Sequence, residues 1–129
     1  MNNLALDYFK KWQKETDVAK RENYGKDALD YYWKITIVDP TGTIKNAKNK
    51  AYTLLAFEKL AEMYQTDNNI KLYSVAIGRS FKNFNTSVKI HGYAATYFKS
   101  VNNIDASIYH LELWNALLLA NDKNNPTKV

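Results

Sequence analysis

The sequence predicts a mainly α-helical protein: a single domain of five to six helices with one small β-hairpin near residues 35–45. Three observations carry this. Apolar residues recur at helical spacing over most of the chain, and short Asn-rich breaks separate the periodic runs. One pair of β-branched runs flanks a turn, Asp39-Pro40-Thr41-Gly42. A chain of 129 residues that is 46% apolar suits one core. The domain is expected over residues 1–122, followed by a flexible C-terminal tail over 123–129.

In the first helix, Ala5, Tyr8, Phe9 and Trp12 share one face behind an Asn2 or Asn3 cap. Gly25 is expected to interrupt the helical pattern. A second helix then carries Ala28, Tyr31, Tyr32 and Ile35, unless the single glycine, at about 1 kcal/mol, lets the two segments fuse. Ile35, Thr36, Ile37 and Val38 read as one hairpin arm, and Thr43 and Ile44 as the other. Pro40 has the fixed φ for the turn and Gly42 accepts φ > 0.

The third helix is expected from Ala47, with Leu54, Phe57, Ala61 and Tyr64 in one stripe and Leu60 beside it. The fourth runs from about Ile70 to Phe81. The fifth follows a polar break whose Asn85, Thr86 or Ser87 can cap it. The sixth, capped by Asn103 or Asp105, is apolar on nearly every side, so it is expected to be central, with Trp114 in the core.

Asn68-Asn69-Ile70 returns 34 residues later as Asn102-Asn103-Ile104. Together with Phe57, Leu60, Ala61 and Tyr64 at their spacings, this resembles the tetratricopeptide repeat, a peptide-binding helical module. The shifted positions His91, Ala94, Ala95 and Phe98 match less well. The inner contact of the second helix should be small; the first unit has the large Tyr73 there, and the second has Ser107. The unit-closing proline is missing, and the resemblance covers about half the chain. Two ordinary helix pairs joined by similar turns predict the same echo.

Composition narrows the chemistry. The absence of cysteine removes disulfides, thiolate metal sites and cysteine nucleophiles. No apolar run reaches the roughly 18 residues of a membrane span, and the N-terminus carries no secretory pattern. A cytoplasmic protein is therefore expected. There is no phosphate-binding glycine loop, and His91 and His110 stand on different helices without a metal-ligand motif. Glu58 and Glu62 share a helical face, which reads as solvated beside Lys50 and Lys59. No catalytic set, metal or cofactor is expected, and the chain reads as non-enzymatic.

The net charge of +5 is uneven. Residues 34–100 carry ten bases and four acids, so an anionic partner would be met there. Two stretches stand out as candidate binding residues. Lys45, Lys48 and Lys50 precede or straddle a helix start, where cations oppose the helix dipole. Arg79, Lys82 and Lys89 interleave with Phe81 and Phe84 in a helix-end loop, a pattern that suits phosphates and stacked bases. If the fourth helix returns along the third, the two stretches meet. Ten tyrosines and three tryptophans exceed what the core needs and suit a binding surface.

Sixteen lysines against two arginines, with fifteen asparagines, suggest AT-rich coding. The expectation is a small accessory or inhibitor factor of a bacterial mobile element, such as a phage, that docks on a larger protein machine. The alternative is a direct DNA- or RNA-binding protein using the basic middle, and the further alternative is the tetratricopeptide-like module. The oligomeric state is left open.

Overall fold

The computed structural model describes residues 2–123. It contains α1 (Asn2–Lys14), α2 (Val18–Val38), α3 (Tyr52–Thr66), α4 (Ile70–Phe84), α5 (Val88–Ser100) and α6 (Ile104–Lys123). The helices fall into two units, Met1–Asn68 and Asn69–Val129. Apart from Lys123, the expected flexible tail lies outside the described residues.

The chain is mainly helical, but the expected β-hairpin is absent: among the described residues there is no strand, only an isolated bridge between Lys45 and Ala51. The turn itself is real. Gly42 donates its N–H to the Asp39 carbonyl at 3.1 Å and takes φ 73°. The error lies in the arms. Ile35 to Val38 continue α2, because Ile35 and Thr36 fall on its buried face and the Thr36 hydroxyl donates back to the Trp33 carbonyl at 2.7 Å. Packing here overrides β-propensity.

The first break also moves. It falls at residues 15–17, where the Asp17 carboxylate caps α2 by accepting from the Lys20 N–H at 3.0 Å. Gly25 lies inside α2 and is buried. A Cβ there would stand 2.9 Å from Trp12 Cδ1, so the missing side chain lets α1 close on α2. Trp12 near Gly25 and Phe9 against Tyr32 give an antiparallel pair. In turn α2 packs on α3, with Trp33 edge-on to Phe57 and its indole N–H donating to the Tyr64 hydroxyl at 2.6 Å. The core of this unit is built from Phe9, Trp12, Tyr32, Phe57, Leu60 and Met63. The third helix starts at Tyr52 rather than Ala47, since residues 44–52 first close a loop through Tyr52 N–H to Ile44 O at 3.1 Å and Asn46 N–H to Lys50 O at 2.9 Å.

In the second unit α4 packs on α5 and α5 on α6. Tyr73 is buried and donates its hydroxyl to the Tyr93 carbonyl at 2.7 Å. Ser107 is buried against α5, donating to the Ala95 carbonyl at 2.9 Å. The small residues Ala94 and Ala95 allow that approach.

The 34-residue echo resolves into two equal turns. Asn68 and Asn102 take φ of 56° and 61°, the left-handed helix-stop conformation that Asn tolerates. Asn69 and Asn103 then cap the next helix, their side chains accepting from Leu72 N–H at 3.3 Å and Ala106 N–H at 3.2 Å.

The sixth helix corrects a further expectation. It is not buried on several faces: Ser107 is its buried residue among those described, Trp114 is half-buried, and Ile104, Ile108, Tyr109, Leu111 and Leu119 are exposed.

Gly25→Ala should destabilise the protein by about 1–3 kcal/mol. The gain of about 1 kcal/mol in helix propensity is outweighed by displacing a buried indole ring. Urea unfolding followed by tryptophan fluorescence measures the balance, and a net stabilisation would show that Trp12 moves freely.

Candidate functional site

The residues singled out by charge divide between the units. Lys45, Lys48 and Lys50 belong to the loop before α3, and Arg79, Lys82, Phe84 and Lys89 to the α4–α5 corner. Lys45, Lys48, Arg79, Lys82 and Lys89 are exposed and Phe84 is half-buried. The loop that presents Lys45 and Lys48 is held by the Asn46 side chain, which accepts from the N–H groups of Lys48 and Lys50, each at 3.0 Å.

Lys50 serves the fold. Its Nζ pairs with Glu58 Oε1 at 2.7 Å. Glu58 is 3% exposed rather than solvated, and its Oε2 is buried without a hydrogen-bond partner. Period alone placed Glu58 and Glu62 together on an outer face. What reverses this for Glu58 is the loop returning over the start of α3 with a cation at its end.

Sequence spacing gave no warning of the histidine pair. His91 on α5 and His110 on α6 face each other with Nδ1 atoms 2.9 Å apart. The His91 Nε2 meets the Asn85 carbonyl, so it must carry hydrogen. In the neutral ring His91 Nδ1 is then the acceptor, and His110 Nδ1 the donor. Phe81 and Phe98 stack on the His110 ring at 5.1 and 5.4 Å, nearly parallel. Burial, then the neighbouring His91, hold the His110 imidazole below its ordinary value. Phe81, expected as part of the basic loop, belongs to this cluster. The signal that could have found it is the register of α5 and α6 about their short turn, which pairs position 91 with 110.

The outer face of α6 presents an apolar stripe to solvent. Ile104, Ile108, Leu111 and Leu119 recur at i, i+4, i+7 and i+15, exposed from 40% at Leu111 to 63% at Leu119. Asn115 at i+11 is exposed on the same stripe. Among the described residues no helix is long and apolar enough to cross a membrane, and no group of three His, Cys, Asp or Glu side chains could hold a metal ion.

No family model, curated protein or solved structure matches the chain.

Two outcomes follow. Lys50→Ala should cost about 2 kcal/mol, because it leaves a buried carboxylate unpaired, while Lys48→Ala should stay within about 0.5 kcal/mol. Equal urea midpoints for the two variants would sink this assignment. Stability should also fall in mild acid. The His110 value is lowered on folding, so below about 6.5 the unfolded chain binds more protons. The stability is complete above that pH and is lost as pH drops from there toward the folded value. His110→Phe should flatten this slope in pH-dependent urea unfolding.

Proposed function

We propose that this is a non-enzymatic binding protein that acts by docking on a larger protein, and that the outer stripe of α6 is its docking face. The single observation that carries the reading is that stripe. Four large aliphatic side chains stand in water on one helical face, where a surface helix ordinarily presents polar residues. Its chemistry suits an amphipathic helix of the partner laid alongside it. The described charged side chains of α6 are both acidic, Asp105 and Glu112, so the partner helix should carry basic residues beside its apolar face. The alternation of apolar side chains with Asn115 gives such a pairing a preferred register. A role as an accessory or inhibitor factor of a bacterial mobile element, working in the cytoplasm, draws its support from the coding bias of the chain.

A second reading is favoured by the exposed cations. Lys45 and Lys48 in one unit, and Arg79, Lys82 and Lys89 in the other, could meet phosphates of DNA or RNA. Base contacts would then fall to Phe84, which is half-buried.

Affinity recovery from the native host, with and without nuclease, separates the two. The expected result is a nuclease-resistant partner lost from the Ile108→Glu, Leu111→Glu double variant, whose melting temperature stays near that of the parent. Gln at Lys48, Arg79, Lys82 and Lys89 should leave capture unchanged. Nuclease-sensitive recovery, with a salt slope flattened in the Gln variant, would transfer the function to nucleic-acid binding.

A further inference from the structure

The first unit contains a cleft of about 560 Å³, within the range of small-molecule sites. It is separate from the α6 face, which belongs to the other unit. Its walls are aromatic: Trp12 and Trp33 contribute indoles and Tyr64 a phenol. The hydrogen bond from Trp33 Nε1 to the Tyr64 hydroxyl holds two of these rings in place. Gly25 makes room for the third, because a Cβ there would collide with the Trp12 ring.

What such a cleft recognises can be read from what already lies in it. The Arg21 guanidinium carbon stands 4.5 Å from the centre of the Trp12 ring. Its Nη1 donates to Asp67 Oδ1 at 3.3 Å. A planar cation on an indole face, held at its edge by a carboxylate, has the arrangement of a bound ligand. Two more carboxylates, Glu22 and Asp30, line the cleft against one more base, Lys26. The lining therefore carries one excess negative charge, in a chain whose net charge is +5. Asp30 lies near enough to the Tyr64 phenol to add to the upward push that burial gives it. The ion pair and the cation–π contact of Arg21 are partly exposed, and each is individually weak, so a competing cation can displace the side chain.

We propose that this cleft is a binding site for an organic cation with a planar guanidinium or amidinium group. The cation takes the place of Arg21 over Trp12, with Asp67 and Asp30 as its counter-charges. Arg21 acts as a resident competitor that closes the site when it is empty. The ligand group can come from a free compound or from an arginine side chain of a peptide, and the chemistry of recognition is the same.

The test follows the indole N–H signals of the full-length protein by NMR, with Trp114 of the second unit as internal reference. The probes are arginine amide, the tripeptide Gly-Arg-Gly and citrulline amide, the neutral isostere. Arginine amide should shift Trp12 and Trp33 saturably, with a Kd of about 1 mM or tighter, and leave Trp114 still. Citrulline amide should not. Arg21→Ala should tighten binding about fivefold, the factor that goes with losing a weak internal competitor. Asp30→Asn should weaken it. Tighter binding of the tripeptide assigns the group to a peptide, and tighter binding of arginine amide assigns it to a free compound. The proposal is overturned by non-saturable shifts in both the parent and Arg21→Ala, by equal response to citrulline amide, or by weaker binding in Arg21→Ala.

Discussion

The crossover from α2 to α3 depends on one residue, Asp39. Its N–H bonds to the Ile35 carbonyl at 3.1 Å and ends α2. Its carboxylate then gathers the chain that follows. Oδ1 accepts from the Thr43 N–H at 2.9 Å and the Thr43 hydroxyl at 2.8 Å, and Oδ2 from the Ile44 N–H at 2.9 Å. Those bonds, led by the one from Ile44, hold its carboxyl below the usual carboxylate range. Its carbonyl accepts from the Thr53 hydroxyl in the first turn of α3. Pro40 ends the helical run, and Gly42, in the left-handed region, closes the turn by donating to the Asp39 carbonyl at 3.1 Å. The loop beyond can then return Lys50 to Glu58, and α3 is set so that Phe57 and Tyr64 meet Trp33.

Both units spend buried polar groups in the same way. Each tolerates them where a second element delivers a matching partner: Lys50 from a loop for Glu58, His110 from α6 for His91. Burial and the neighbouring His91 hold the His110 value down, so the contact between α5 and α6 is sensitive to mild acid. The stripe proposed for docking stands on the outside of that same α6, so the partner surface and the pH-sensitive joint share one helix.

The periodic runs of apolar residues determined the helical class by themselves. Phe9 and Trp12, or Phe57, Leu60 and Tyr64, bury as their 3.6-residue spacing requires. The turn at Asp39 to Gly42 and the two Asn-Asn stops were equally legible, because their backbone conformations are intrinsic to Gly, Pro and Asn. Local chemistry stops there. Whether Ile35 to Val38 form a strand or a helix depends on what packs on Ile35 and Thr36, and tertiary burial decided for helix. Gly25 reads as a breaker until Trp12 is seen against it. Glu58 reads as solvated until Lys50 comes over it, and α6 reads as central although its aliphatic residues include an exposed stripe. The His91–His110 pair and the Arg21–Trp12–Asp67 cleft join residues 19 or more positions apart or on different helices, so only the fold could place them together. Composition shows how much apolar and charged surface a chain has. Which of it meets a partner inside the molecule, and which is left for one outside, is settled by the packing of whole helices.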